Sequence, residues 1–324
     1  MFSDIATIIK LASYTGAGMC IGLGAIGAAL GEGYTAGLAN QALSQKPEQS
    51  GDIMKNMLVG QAVAESAAIF ALVIAILLIF MDVPSDNLLS AASLMGAGLC
   101  MGFGAIGSGI GSGFPGGQAC LGLARQPVVA HKLTTNMLIG SAVCQTPAIF
   151  SMVVALMLIF MDFTNAPLSP TWAALLGAGI STGLAAIGSG LGGGLAAGAS
   201  CESIARNPET FGQVTTTMLV GQAVSQTPSI FGLLISFVLM FVTFQESATL
   251  GAAMALLGAG LCMGFGGIGP GIGNGLTAQG AVKWVSRNVD AAGELMRTML
   301  VGQAVSQSTS IYAMVVSLVL VFVI

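Results

Sequence analysis

Polar residues are scarce along this chain and fall in a regular rhythm. A glycine-rich apolar stretch, a short polar segment and an apolar stretch rich in Leu, Ile, Val, Met and Phe follow one another four times, with a short acidic linker between successive copies. Crossing bilayer hydrocarbon takes about 20 apolar residues in a helix, and every one of these stretches is long enough. The pattern predicts first helices over 5–42, 88–123, 170–204 and 248–285, and second helices over 52–80, 132–161, 212–243 and 292–324. Polar segments at 43–51, 124–131, 205–211 and 286–293 close the hairpins, with Pro47, Pro127 and Pro208 punctuating three of them. MDVPSDN, MDFTNAPLSP and FQESA join one hairpin to the next. The expected fold is an all-α membrane protein of eight transmembrane helices, arranged as four tandem hairpins over 1–84, 85–165, 166–246 and 247–324. The opening MFSDIATIIK lacks a basic n-region and cleavage site, so it is read as part of the first helix.

Composition agrees, because 55% hydrophobic residues, 7% charged residues and 47 glycines leave no surface suited to a soluble globule. Charge adds an orientation. Eight of the nine Lys and Arg residues lie in or beside the hairpin loops, including Lys46, Lys55, Arg125, Lys132, Arg206 and Arg287, whereas the linkers hold only acids. The positive-inside rule then puts the hairpin loops in the cytoplasm and both termini outside. Cysteine spacing suggests no metal site: Cys20, Cys100 and Cys262 share one repeated helix position, Cys120, Cys144 and Cys201 are scattered, and all read as buried free thiols. His131 stands beside a loop without ligand partners, and no nucleophile constellation is present. Neither an organic cofactor nor a nucleic-acid partner is expected.

The glycines carry a second pattern. GAGMCIGLGAIGAALGEG recurs as GAGLCMGFGAIGSGIGSG, GAGISTGLAAIGSGLGGG and GAGLCMGFGGIGPGIGNG. Several of these strings satisfy GxGxxG, but no strand precedes them, no ribose-binding acid follows, and they lie inside a membrane span, which excludes a dinucleotide site. Small residues let membrane helices approach with their backbones nearly touching. The first helices are therefore expected to form a tight inner layer and the bulkier second helices an outer layer facing lipid. Four like hairpins share one heterologous contact, which propagates along an arc that several copies can close into a two-layer ring.

Within this apolar frame the acids stand out. GQAVAESAAIF returns as GSAVCQTPAIF, GQAVSQTPSIF and GQAVSQSTSIY, so Glu65 of the first copy is matched by Gln145, Gln226 and Gln307. The first helices repeat the departure, with Glu32 matched by Ser112, Gly193 and Asn274. An ionisable residue mid-membrane costs roughly 2.5 kcal/mol or more and by default marks an ion or proton path. Glu32 lies 15 residues before Pro47 and Glu65 lies 18 after it. At ~1.5 Å per helical residue both sit roughly 22–27 Å from the turn, so they can meet at one height. Such a pair is expected to share a proton or hold a cation rather than stand doubly ionised.

A glycine-rich first helix, an A-R-Q/N-P loop and G-Q-A-V-A-E-S in the second helix resemble the c subunit of F-type rotary ATP synthases, over essentially the whole chain and four times. The resemblance implies a rotor subunit that performs no bond chemistry, while the attached head makes or hydrolyses ATP. It implies that Glu65 alone carries an ion and releases it beside an arginine of the stator a subunit. Arg125-Gln126-Pro127 and Arg206-Asn207-Pro208 match the loop that contacts the central stalk, whereas Ser44-Gln45-Lys46-Pro47 and Arg287-Asn288-Val289 depart from it. The implied location is a bacterial cell membrane, in a ring of this chain alone or of this chain with single-hairpin c subunits.

The same resemblance bears on the ion. Sodium-binding relatives use a first-helix Gln or Glu, the carboxylate, a Ser or Thr after it and a nearby Tyr. Repeat one offers Glu32, Val63, Glu65 and Ser66 but has Ala67 and Phe70 where the pattern wants Thr and Tyr. Repeat four has the complement: Val305, Ser308, Thr309 and Tyr312, although its own acid is Gln307. Family sites are shared between adjacent hairpins, so repeat four of one copy is expected to complete the Glu65 site of the next. Repeat two, offering Val143 and Thr146, is the alternative neighbour. Carboxylate, carbonyl and hydroxyl oxygens suit a hard cation, which favours Na+ over H+.

One acid per four hairpins also has a mechanical consequence. At a fixed number of ATP molecules per turn, each ion must carry about four times the work, against ~2.3 kcal/mol per charge per 100 mV. A homomeric ring is then expected to favour ATP-driven pumping, with passage of the neutral glutamines past the stator arginine a further expectation. A channel or secondary transporter built around the acid pair is the alternative class, although four parallel repeats fit common transporters poorly. A membrane scaffold would predict no phenotype for Glu65→Gln.

Overall fold

The computed structural model describes residues 4–81, 87–163, 165–247 and 249–322. The expected boundary at 84/85, most of MDVPSDN, one residue in each of the other two linkers, and residues 1–3 and 323–324 lie outside the described residues.

Lipid offers no hydrogen bonds to a bare backbone, so apolar stretches of this length satisfy their own amides as helices. The first helices are α1 (Ile5–Gln45), α3 (Leu89–Arg125), α6 (Leu168–Arg206) and α9 (Leu250–Val285). The second spans are α2 (Ser50–Phe80), α4 (Ala130–Cys144) with α5 (Thr146–Phe160), α7 (Phe211–Ser225) with α8 (Thr227–Phe241), and α10 (Ala292–Phe322). These make eight spans long and apolar enough to cross a membrane, with ends within a turn of those the pattern predicts. Asp4 caps α1, its carboxylate accepting from the Ala6 amide at 3.3 Å.

Each hairpin closes through one 3-10 turn, at Pro47–Gln49, Pro127–Val129, Pro208–Thr210 and Val289–Ala291. Proline opens the first three, where its missing N–H would have had no intrahelical partner. Val289 stands in its place in the fourth turn, and there the Asn288 side chain accepts from the Ala291 amide at 3.4 Å.

The second spans of repeats two and three depart from the unbroken helices expected over 132–161 and 212–243. They are interrupted at Gln145 (φ −80°, ψ −16°) and Gln226 (φ −85°, ψ −14°). Pro147 and Pro228 are the cause. A proline has no N–H for the carbonyl four residues back, so Val143 and Val224 lose their helical donors. Hydroxyls of the first helices enter the break, Ser108 accepting from the Ala148 amide at 3.1 Å and Ser189 from the Ser229 amide at 3.2 Å. Repeats one and four have Ala28 and Pro270 at the serine positions and keep their second helices continuous.

The helices form two layers. α1, α3, α6 and α9 pack side by side in chain order, and the glycines are the reason they fit. A methyl group on Gly27 would sit 2.5 Å from the Ile106 Cα, and one on Gly109 would sit 2.6 Å from the Gly27 carbonyl carbon. Outside this layer each second span lies in the groove between its own first helix and that of the next hairpin: α2 between α1 and α3, α4 and α5 between α3 and α6, α7 and α8 between α6 and α9. The last, α10, has α9 as its one wall in the inner layer.

Hydrogen bonds stitch the hairpins at one repeated level. Cys20, Cys100 and Cys262 donate to the carbonyls of Ala71, Ser151 and Ala313 at 3.3, 3.4 and 3.5 Å, and Ser181 does the same to Gly232 at 3.0 Å. The repeated cysteine position thus has a structural account. All six thiols are free, five of them buried and Cys262 half-buried.

Candidate ion-binding site

Residues four apart lie above one another on a helix, so positions 61 and 65 and their repeat equivalents share a face. That face points toward the second span of the preceding hairpin. Gln145 donates through Nε2 to the Val63 carbonyl at 2.9 Å and to the Ser112 hydroxyl at 2.7 Å. Gln226 donates to the Val143 carbonyl at 2.7 Å. In repeat four Asn274 bridges instead, donating to Gln307 Oε1 at 2.8 Å and to the Val224 carbonyl at 3.4 Å. Every interior interface therefore joins the acid position, or its first-helix partner, to a valine carbonyl one hairpin back.

Proline explains two of these acceptors. Val143 and Val224 are the carbonyls released by Pro147 and Pro228, and an amide N–H fills the vacancy that a buried acceptor could not bear at low cost. The glutamines are correspondingly enclosed, with Gln145 and Gln226 each 7% exposed and Gln307 8% exposed.

The two edges of the arc are the opposite. Glu32 is half-buried and Glu65 exposed, and their charges are close enough to interact. They are 33 residues apart, the spacing that joins Ser112 to Gln145 and Asn274 to Gln307 by hydrogen bonds. Among the described residues no side chain donates a hydrogen bond to either carboxylate.

At the far edge Val305 is 69% exposed and Tyr312 66% exposed. Ser308 donates to the Val305 carbonyl at 2.7 Å and Thr309 to that of Ser306 at 3.0 Å, both local bonds within α10. Within one chain these groups do not reach Glu65, because α1 and α10 bound opposite ends of the arc. Val63 and Ser66, read with Glu65 from the sequence, are turned elsewhere. The Val63 carbonyl serves Gln145, and Ser66 donates to Ala62 of its own helix at 3.2 Å. Sequence reasoning also passed over Gln61, Gln222 and Gln303, which sit one helical turn before the acid position in three of the four repeats. That recurrence was the available signal.

The hairpin loops gather at one end. Arg206 pairs with Glu202 at 2.6 Å, and Glu202 reaches Lys283 of the next hairpin at 3.4 Å. Asn207 donates to the Ser286 carbonyl at 3.1 Å, and Lys132 to the Pro208 carbonyl at 3.2 Å. Arg287 lies over the Trp284 ring at 4.7 Å. Arg125 is exposed at the end of α3, with Gln126 capping that helix and Pro127 opening the turn. In the Lys46 loop, Glu48 is held below the usual carboxylate range, first by its own backbone amide and then by Lys46 at 3.4 Å.

Comparison with known proteins fits this architecture. The family model for the ATP synthase C subunit matches four times, over residues 15–78, 95–158, 176–239 and 257–320. The K subunit of an A-type ATP synthase from Methanocaldococcus jannaschii is 35% identical over 201 residues, covering 62% of this chain and 84% of that protein. The ATP synthase c subunits of Alkaliphilus oremlandii and Thermotoga petrophila are 47% and 48% identical over 70 and 67 residues. Those alignments cover 22% and 21% of this chain, and 78% and 79% of the relatives, so a single hairpin repeat answers to most of each. With four hairpins built on one plan and a matching family segment in each, the chain belongs to the ATP synthase C-subunit family, as a fused four-hairpin rotor component that translocates ions and catalyses no bond chemistry of its own.

Proposed function

We propose that Glu65 carries Na+ across the membrane, in a site completed by the last hairpin of a neighbouring copy. The observation that supports this is the direction of the interior contacts. Each acid position or its partner turns to the valine carbonyl of the hairpin before it, at Val63, Val143 and Val224. For Glu65 the hairpin before it is repeat four of another copy, and the matching carbonyl is that of Val305. Val63 and Val143 are engaged with the next interface along, which disfavours both a site within repeat one and one borrowed from repeat two.

In this reading Glu32 and Glu65 supply carboxylate oxygens, and the neighbour's Val305 carbonyl and Ser308 hydroxyl complete an all-oxygen shell suited to a hard cation. Tyr312 would hold the Glu65 carboxylate in place, with Thr309 beside it. The ion neutralises the acid for passage through lipid, and an arginine of the stator a subunit displaces it. Hairpin loops on the cytoplasmic side would present Arg125, Gln126, Pro127, Arg206, Asn207, Pro208, Arg287 and Asn288 to the central stalk. If the ring holds only this chain, one ion per four hairpins favours ATP-driven pumping, and a low ion-to-ATP ratio in proteoliposomes would be the sign of it.

A carbodiimide that labels membrane carboxylates tests the site on the purified ring. Labelling of Glu65 slowed by millimolar Na+, and less so in Tyr312→Phe, is the expected result. Labelling indifferent to Na+ but slowed by raising the pH would assign the same oxygens to a proton. Intact-ring mass from the same sample counts the copies and reveals any single-hairpin companions.

A further inference from the structure

We infer that Gln61 reaches across the boundary between two copies of this chain to the carbonyl of Gly302, and so positions Val305 and Ser308 against Glu65. This inference rests on the reading that a second copy completes the Glu65 site.

Its basis is a second layer of amides one turn closer to the hairpin loops than the acid position. Gln222 uses Nε2 twice, to the Gly193 carbonyl of its own first helix at 3.0 Å and to the Gly140 carbonyl of the preceding hairpin at 2.9 Å. Gln303 repeats the arrangement with Asn274 at 3.0 Å and Gly221 at 3.0 Å. The sequence separations are the same in both cases, 29 residues to the first acceptor and 82 to the second. Both side chains are fully buried, and neither Oε1 has a donor among the described residues. The two carbonyls, joined at Gln222 by the Cys144 sulfur at 3.5 Å, therefore set the direction of each amide.

Gln61 has half of this pattern. Its Nε2 donates to the Glu32 carbonyl, again 29 residues back, at 3.3 Å, and it remains half-buried at the edge of the arc. The second acceptor would come from one hairpin earlier. Continuing the series Gly140, Gly221 by one more repeat gives Gly302, three residues before Val305 on α10, half-buried beside Thr277 of α9. The first edge thus has a spare amide hydrogen and the last edge the matching glycine carbonyl. Ser141 occupies this position in repeat two and reaches only the Ser112 carbonyl, at 3.1 Å, so the layer is absent from that interface.

Gln61 also holds the backbone of Glu32, so one side chain would tie the first-helix acid to the α10 backbone that carries Val305 and Ser308. Gln61 is on this account a positioning residue. Its loss should loosen the ion site as well as the ring.

The test uses Gln61→Met, which keeps length and volume but removes the donor, beside Gln222→Met as an interior control. Ring integrity is read by thermal dissociation in detergent, and the ion site by the Na+ concentration that half-protects Glu65 from a carbodiimide. Q61M is expected to lower the dissociation temperature and to raise that concentration roughly fivefold, the scale of one hydrogen bond. Q222M is expected to leave the half-protecting concentration unchanged. Unaltered dissociation in Q61M would overturn the contact. Easier dissociation with unaltered protection would overturn the positioning role. A wild-type ring whose Glu65 ignores Na+ would count against the sodium reading alone, since dissociation still reports on the Gln61 contact.

Discussion

Interior interfaces and open edges are made from one repeat, yet they end in different chemistry. Inside the arc, an amide N–H from Gln145, Gln226 or Asn274 meets a valine carbonyl one hairpin back, and the side chains are closed off from the surroundings. At the edges, a carboxylate stands on one side and a carbonyl with three hydroxyl-bearing side chains on the other, all with room for a partner. The amide nitrogen inside occupies the place beside the carbonyl oxygen that a cation would take at the edge. A glutamine is therefore more than a neutralised glutamate here. At Gln145 and Gln226 the N–H makes the interface self-sufficient, whereas in the proposed site Glu65 would need a cation or a proton to face the matching oxygen.

The comparison breaks most completely at Glu65. Glu65→Gln would turn the edge into another interior-type contact, with the new amide donating to the neighbour's Val305 carbonyl. Ring assembly should survive, while Na+ uptake into proteoliposomes driven by ATP falls at least about 100-fold for want of a carrier. Uptake near the wild-type rate would mean that the path lies elsewhere in the membrane.

The reverse substitution sharpens it. Gln226→Glu places a carboxylate oxygen where an N–H now lies 2.7 Å from the Val143 carbonyl. Without a counter-ion, an uncompensated buried charge should cost about 3–5 kcal/mol. Na+ should recover part of that, seen as a dissociation temperature that rises with Na+ in the variant only. Gln226→Leu is the control: it strands the carbonyl for about 1–3 kcal/mol and should not respond to Na+. Equal Na+ responses in the two variants would defeat the idea that the amide substitutes for a cation.

Repetition made much of this legible from sequence. Four hairpins, a glycine layer, the single acid pair and the hydroxyls of repeat four all follow from aligning GQAVAES and GAGMCIG with their later copies. Periodicity says which residues share a face but not which neighbour that face meets, so the engagement of Val63 with Gln145 was beyond it. The helix breaks were obscured for a related reason. Pro147 and Pro228 lie in strongly apolar runs that read as continuous spans, and the serines that cap the breaks, Ser108 and Ser189, come from other helices. Gln61 and its equivalents were visible as letters, but their use of two carbonyls depends on the approach of three helices.

A rim contact marks the lower end of the scale. Glu202 links Arg206 at 2.6 Å to Lys283 of the next hairpin at 3.4 Å, which makes it the ionic counterpart of the buried amide bonds between repeats. Its carboxylate is largely enclosed, at 19% exposure, but both cations are more than 40% exposed and solvated. Such pairs contribute about 0–1 kcal/mol, and salt screens them within roughly 10 Å at 0.1 M. Glu202→Gln should therefore lower thermal stability slightly at low ionic strength and not measurably at high, whereas Gln226→Leu should cost the same at both. A large loss that persists in high salt would place the cohesion of repeats three and four at the charged rim rather than in the buried amides.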